Sequence, residues 1–382
     1  MEVDVLELYK KFLVPMTPEP AVAGILSVIM SGGETTQDMA DVVARDPEIS
    51  EWLKLTLSRM GRSGKNQSLE YMVSILGMNR VRNLVIGRHV ERSLVSEENS
   101  VLGKLIAERS KNASSGKDEE PEDEEAKIIP ELSDFSKYIA FAQRAENVAV
   151  ELKYSHPGQA YAGGVLFDYL ATYFKQIEDF DKKVQNPMFQ KPERYIENIF
   201  NDGLRCAVAA DEVIRFISIT YQKNVFLSSL VRNIGKLILL AYDPKGFERT
   251  QKNYEEAIAK NIPARKHEFE EDEFDFDHAQ ITALYVGRAS CFRGIEKSLD
   301  YHHNPRLLKS RDKELHALSS VLRLAGLLVN QYQEFRKQEA DIGKMPDARI
   351  TNSESYKFLR LTNDEWQEVK NAYAMNLMRT GL

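Results

Sequence analysis

The sequence predicts an all-α protein. Apolar residues recur three or four positions apart through most of the chain, and this spacing places them on one face of a helix. Residues 38–60 show the pattern twice, with Pro47 at the start of the second helix. Residues 68–90 begin with a serine cap, and Gly77 falls where one helix should end and another begin. We find no sustained alternation of apolar and polar residues that would support a sheet.

The length and composition indicate a globular protein of about two domains. The chain has 382 residues, of which 43% are apolar and 29% are charged. Its formal net charge of −7 argues against nucleic acid as the main partner, because phosphate binding requires a basic surface.

The sequence also predicts a cytoplasmic location. Cys206 and Cys291 cannot form a disulfide framework, and the chain contains no CxxC motif. The acidic N-terminus does not resemble a signal peptide. The most apolar run, residues 230–242, contains Arg232 and Lys236 and is too short to span a bilayer. We therefore expect no insertion into a membrane.

An acidic stretch divides the chain. Residues 118–125 contain seven acidic side chains interrupted only by Pro121, and such a run repels itself and cannot bury a core. We predict an N-terminal helical bundle at residues 1–105, a flexible acidic linker at 106–130 and a second helical domain at 131–382. The alternative interpretation of the linker is an acidic docking segment.

A second acidic stretch, residues 268–278, interleaves phenylalanines with carboxylates. It lacks the central glycine and the ligand spacing of a calcium-binding EF-hand loop. We interpret it as a loop that precedes a helix and is anchored by its aromatic side chains.

Three of the seven histidines form a suggestive set. His278 lies at the start of a predicted helix, a turn follows near Gly294, and a second helix ends at His302 and His303. Two antiparallel helices of this length would bring the three side chains together. Converging imidazoles can bind a transition metal.

The same segments resemble the HDOD family, a branch of the HD-domain superfamily of metal-dependent phosphohydrolases. The resemblance rests on LVRNIGKLILLAYDPKGFER (230–249), FDHAQITALYVGRA (276–289) and LDYHHNP (299–305). Three N-terminal segments, residues 13–20, 38–58 and 68–86, are similar to the opening motifs of that family. The resemblance implies a helical bundle followed by a degenerate HD-like helical domain.

The departures from the family pattern concern the metal ligands. Arg232 and Asn233 stand where the pattern has His-Asp, and Gly326 stands where it has a late aspartate. A guanidinium carries a permanent positive charge, and an asparagine is a poor substitute for a bridging carboxylate. We therefore predict no catalytic residues, no bound metal and no cofactor.

One further segment also resembles the His-Asp element. Residues 161–174 place Phe167 and Asp168 at the His-Asp positions, and residues 141–174 follow the apolar pattern of 206–239. A duplication and two unrelated amphipathic hairpins explain this pattern equally well. The predicted vestigial pocket consists of Arg232, Asn233, His278, His302, His303, Asp168, Asp277 and Gly326.

The resemblance implies a signalling role rather than catalysis. The leading hypothesis is an inactive HDOD-type scaffold that binds other proteins in bacterial signal transduction, in connection with cyclic dinucleotides. A metal-dependent phosphohydrolase using His278, His302, His303 and Asp168 is one alternative. A small-ligand sensor in which Arg232 binds a phosphate or carboxylate is another. We also expect Arg232 to form an ion pair with Asp277 or Asp168 that fills the former metal cavity, because an unpaired buried charge is costly.

Overall fold

The computed structural model describes residues 18, 20–31, 35–59, 68–92, 137–177, 180–219, 224–260, 262, 265–288, 294–308, 312–336, 345 and 347–382. All regular secondary structure in these ranges is helical, which confirms the predicted all-α fold. The chain divides into two compact units, Pro18–Ala140 and a second unit that contains Phe141–Leu382. The predicted linker at 106–130 and the boundaries at 105 and 131 lie outside the described residues.

The first unit contains five described helices, and their ends follow the sequence signals. They are α1 (Pro20–Ser31), α2 (Thr36–Val43), α3 (Pro47–Arg59), α4 (Leu69–Leu76) and α5 (Met78–Arg92). Thr35 and Asp38 form a reciprocal capping box at the start of α2, and Ser68 caps α4. Gly77 ends α4 with a φ of 86°, a conformation that favours glycine.

The described helices of the second unit follow in order. They are α6 (Ala140–Glu151), α7 (Pro157–Phe174), α8 (Phe180–Lys183), α9 (Pro187–Gln190), α10 (Pro192–Ile214), α11 (Val225–Val231), α12 (Gly235–Tyr242), α13 (Pro244–Ala259), α14 (Lys266–Phe274), α15 (His278–Arg288), α16 (Glu296–Asp300), α17 (Lys313–Arg336), α18 (Ala348–Thr351), α19 (Glu354–Leu359) and α20 (Asn363–Thr380). A 3-10 turn, Pro305–Leu307, lies between α16 and α17. Helix α10 packs against α11, α17 and α20 and forms the centre of this unit.

A close approach of α12 to α15 positions the region of interest. A Cβ atom on Gly235 would lie 2.1 Å from the carbonyl oxygen of His278, so only glycine fits there. The amide of Gly235 donates a hydrogen bond to the Thr282 hydroxyl at 2.9 Å. The turn at 232–234, just before α12, is thereby held beside the N-terminal end of α15.

Helix α14 corrects one prediction. Residues 268–278 were expected to be a loop, but most of this stretch belongs to α14. His267, Glu270 and Phe274 are spaced by three and four positions and are all buried, so the acidic residues between them occupy the outer faces of a helix. The helix ends at Asp275, whose φ of 65° is left-handed. The many acidic residues in this stretch hid the helical spacing of its buried positions from the sequence analysis.

One stretch of the described chain, Val225–Tyr242, has the length and hydropathy of a membrane-spanning segment. In the structure, 89% of it is buried inside the protein, and the turn at 232–234 divides it into α11 and α12. Its apolar side chains form part of the core of the second unit.

Candidate functional site

Three imidazoles converge in the second unit, as the sequence predicts. His278 begins α15, and His302 and His303 follow the short helix α16. One ring nitrogen from each lies within 4.8 Å of those of the other two, and the Nε2 atoms of His278 and His303 are 3.1 Å apart. His278 and His302 are fully buried, whereas His303 is half-buried. We call these three residues the histidine pocket.

Hydrogen bonds at Nδ1 determine which ring nitrogen carries the proton in His278 and His302. Nδ1 of His278 lies 2.5 Å from the Glu270 carboxylate, which also accepts the backbone N–H of His278 at 2.9 Å. Nδ1 of His302 donates to the carbonyl oxygen of Leu299 at 2.6 Å. A carbonyl or carboxylate oxygen accepts hydrogen bonds, so each Nδ1 carries a proton and each Nε2 has a lone pair. Nε2 of His303 donates to the lone pair of His278 at 3.1 Å.

Burial sets the charge of the pocket. Burial lowers the pKa of His278 to about 4 and holds the pKa values of His302 and His303 well below their usual range. Burial also acts to raise the pKa of Glu270, but the charge interaction and hydrogen bonds with His278 outweigh it and keep that pKa below its usual range. At neutral pH the pocket therefore holds neutral imidazoles beside one ionised carboxylate.

The corner that carries His302 and His303 is anchored to α17. Arg323 donates from Nη1 to the carbonyl oxygen of His303 at 2.6 Å, and the Ser319 hydroxyl donates to the carbonyl of Ser298 at 3.1 Å. A fourth histidine, His267 on α14, stacks on the ring of His303 with 4.2 Å between centroids. These contacts fix the orientation of a turn that has little regular structure of its own.

Arg232 does not form the predicted ion pair. Its guanidinium is buried and donates from Nη1 to the carbonyl oxygen of Leu322 at 2.6 Å. It lies against Gly326, where a Cβ atom would be 2.3 Å from both Nη1 and Nη2. Across the described part of the chain, no carboxylate lies within ion-pair distance of Arg232. A backbone carbonyl on α17 thus takes the role that was expected of an acid.

The two expected partners of Arg232 cap helices instead. Asp168 accepts the backbone N–H groups of Phe141 and Ala142, each at 3.0 Å, at the start of α6. Asp277 accepts the backbone N–H groups of Ala279 and Gln280 at the start of α15. Free amides at a helix N-terminus bind a carboxylate well, and here they compete successfully with the guanidinium.

Asn233 lies on the same turn as Arg232, and Lys236 lies on α12, which follows that turn. Nδ2 of Asn233 donates to the Asp202 carboxylate on α10 at 2.9 Å. Burial lowers the pKa of Lys236, and the negative charges of Glu270 and Asp202 oppose that effect. Lys236 thus lies within the electrostatic reach of the histidine pocket, a position that the sequence analysis did not assign to it.

Several buried polar atoms around the pocket have no hydrogen-bond partner in the described structure. They are Nε2 of His302, Oε1 of Glu270, Nε of Arg232 and Oδ1 of Asn233. Buried polar atoms are nearly always paired with protein, water or an ion, so these four atoms have the capacity to bind ordered water or another small polar occupant.

Sequence reasoning found the histidines but missed Glu270 and His267. Both lie on α14, in the acidic stretch that was interpreted as a loop. Their common helical face with Phe274 was the available signal.

The regular structure in the described part of the second unit is thus all helical, and its core contains an imidazole pocket built from the ends of two helices. Residues 182–305 match the HDOD domain family, so this part of the chain is an HDOD domain. The match covers the region that carries His278, His302 and His303. It does not include residues 13–20, 38–58 and 68–86, where the resemblance to the family stays a prediction.

Two solved structures are similar to the chain at low identity. One is a candidate phosphohydrolase from Shewanella amazonensis SB2B, with 15% identity, a TM-score of 0.39, and coverage of 98% of this chain and 96% of that one. The other is an HDOD domain protein of unknown function from Geobacter sulfurreducens, with 11% identity, a TM-score of 0.42, and coverage of 96% and 98%. No curated protein matches the chain.

Proposed function

We propose that this chain is a catalytically inactive HDOD-type protein that acts as a cytoplasmic scaffold in bacterial signal transduction by binding other proteins. The observation that carries the proposal is the position of Arg232, which donates a hydrogen bond to α17 and packs against Gly326. Phosphoester hydrolysis by a metal centre needs a metal-bound water as the nucleophile, and the family pattern holds its metal with a His-Asp pair and a late aspartate. Arg232, Asn233 and Gly326 stand where the family pattern has those ligands.

The carboxylate next to the histidine pocket, that of Glu270, is hydrogen-bonded to His278. Glu270 accepts two hydrogen bonds from His278 at Oε2, so this oxygen holds the imidazole in place. Asp168 and Asp277 are both occupied by helix amides. Each of these three carboxylates is therefore hydrogen-bonded to the protein through at least one oxygen.

Hydrolysis can be tested directly. Purified full-length protein should show no activity above background with Mn²⁺, Fe²⁺ or Zn²⁺ on bis(p-nitrophenyl) phosphate or a cyclic dinucleotide. Turnover that disappears in the His278→Gln variant would overturn the proposal.

Scaffolding requires a second measurement. Affinity capture from the native cells should recover the same proteins with wild type and with a triple variant in which His278, His302 and His303 are changed to glutamine. Recovery of no specific partner by either protein would overturn the scaffold role.

A small-ligand sensor is the second candidate function. It is favoured by the four unpaired polar atoms around the pocket, which would suit a small polar ligand. Under this alternative, the triple variant would fold normally but lose its partners, because the scaffold could no longer respond to the ligand.

A further inference from the structure

We propose that the surface beside the turn after His303 binds an acidic segment of a partner protein, which pairs its carboxylates with arginines and rests an apolar side chain beside them. We define this arginine face by three cations and two apolar side chains, namely Arg265, Arg306, Arg323, Leu307 and Phe358. The inference rests on the proposed scaffold function, because it names the chemistry of a partner that the scaffold would bind.

Three arginines from separate elements come together near the turn that carries His303. Arg306 lies on the 3-10 turn three residues after His303, and its side chain is 64% exposed. Arg323 on α17 donates from Nη1 to the carbonyl oxygen of His303 at 2.6 Å. Arg265 immediately precedes α14, two residues before His267, whose ring stacks on that of His303. This corner of the second unit therefore carries three permanent positive charges.

The protein neutralises these three guanidiniums only in part. Burial lowers the pKa of Arg323, and the positive charges of Arg265 and Arg306 lower it further, because like charges repel one another. Arg265 lies 4.0 Å from Glu268 and Arg306 lies 3.4 Å from Glu354, and all four side chains are more than half-exposed. Exposed ion pairs of this kind stabilise a protein little, so the arginines can exchange partners. Among the described residues, no carboxylate lies within ion-pair distance of Arg323.

Two exposed apolar side chains lie beside these arginines. Leu307 is 60% exposed and follows Arg306 in the chain, and Phe358 on α19 is 39% exposed. The ion pair between Arg306 and Glu354 joins the 3-10 turn to α19, and Phe358 lies one turn after Glu354 on that helix. The ring of His316 stacks on Phe358 with 3.7 Å between centroids, which holds the phenylalanine in place. Aromatic side chains and arginines are both enriched in protein–protein interfaces.

Charge decides which occupant fits the arginine face. Guanidinium groups bind carboxylates through paired hydrogen bonds, and an extended acidic segment can present a carboxylate to each arginine. The formal net charge of the chain is −7, so the protein as a whole would repel a long polyanion such as nucleic acid. A membrane would need a broader apolar surface than two side chains provide. A short acidic segment with one apolar residue matches both features of the arginine face.

Peptide binding tests the arginine face directly. A fluorescein-labelled peptide with one phenylalanine between runs of glutamate is titrated with full-length protein, and binding is followed by fluorescence anisotropy. We expect saturable binding that weakens as salt is added, and a matched peptide with glutamine in place of glutamate should not bind. The double variant Arg265→Glu with Arg306→Glu reverses two exposed charges and should weaken binding at least about tenfold. Leu307→Ser should weaken it about fivefold.

Matched substitutions on α13 and its C-terminal cap separate the arginine face from the net charge of the protein. Lys252→Glu with Lys260→Glu changes the net charge by the same amount at exposed side chains. Ile258→Ser removes an apolar side chain that is 50% exposed. Both controls should keep the wild-type affinity. Absence of saturable binding, equal weakening by the control variants, or binding to phosphatidylglycerol vesicles without binding to the peptide would overturn the proposal.

The arginine face and the scaffold role fail in different ways. Affinity capture from the native cells should recover partners with the wild type that the variant combining Arg265→Glu and Arg306→Glu does not retain. If both proteins recover the same partners, the scaffold role stands and the arginine face is wrong. If the wild type recovers no partner, the scaffold role is wrong, and the peptide titration alone decides whether the arginine face binds acidic segments.

Discussion

The guanidinium of Arg232 lies on the bare backbone of Gly326, so that a Cβ atom there would be 2.3 Å from both Nη atoms. The same guanidinium donates to the carbonyl oxygen of Leu322, one turn earlier on α17. Residues 322 and 326 share a helix face, so the arginine is held at two successive turns. The glycine and the arginine therefore constrain each other.

Gly326→Ala should lower the free energy of unfolding by about 1–3 kcal/mol, because the guanidinium must move and lose its hydrogen bond. In an Arg232→Ala background the same change should stabilise the protein by about 0.5–1 kcal/mol, since alanine is the better helix former. Urea denaturation of the four proteins gives both values. As a control, Gly203→Ala should destabilise both backgrounds, because its Cβ would meet the Leu230 carbonyl oxygen at 2.2 Å. An equal loss for Gly326→Ala in both backgrounds would contradict the contact with Arg232.

The ion pair between Lys370 on α20 and Asp347, just before α18, should respond unequally to removal of its two partners. Nζ of Lys370 is fully buried and lies 2.7 Å from the Asp347 carboxylate. Asp347→Ala should cost about 3–5 kcal/mol, because it leaves a buried charge unpaired, whereas Lys370→Met should cost much less. Chemical denaturation of both variants measures the difference. If Lys370→Met is the more damaging change, packing of the lysine stem matters more than the charge.

Asp277 should make stability depend on pH. Burial, with the nearby charges of Glu270 and Glu271, raises its pKa from 3.8 to about 7, although the amides that it caps oppose the shift. A raised carboxyl pKa contributes stability that is present below about pH 4 and lost as the pH rises through 7.

The stability of wild type relative to Asp277→Asn should therefore fall by roughly 2 kcal/mol between pH 5 and pH 7. Asparagine is a suitable comparison because it can also cap the helix. Unfolding curves at several pH values test the sign, and a constant difference would show that Asp277 is ionised throughout.

Asp168 should matter for stability rather than for any chemistry of the pocket. Its two oxygens satisfy the amides of Phe141 and Ala142 at the start of α6. Asp168→Ala should cost about 1–3 kcal/mol, because buried donors lose their acceptor. Urea denaturation of the wild type and of Asp168→Ala measures this loss. A neutral Asp168→Ala would show that the start of α6 does not depend on this carboxylate.

The sequence by itself determined the helical class, several helix ends and the choice of histidines. Helical spacing and capping residues act over a few positions, so Thr35, Ser68 and Gly77 could be assigned from their neighbours alone. The order of His278, His302 and His303 around a turn at Gly294 was also local information.

Only the tertiary structure decided how the charged groups are paired. Arg232 and Leu322 are 90 positions apart, and no pattern in the sequence indicates that a carbonyl would replace an acid. The pairing of Glu270 with His278 depends on how α14 turns into α15, which the density of acidic residues concealed. Each buried polar group takes the partner that packing brings within reach, and packing joins residues that are far apart in the chain.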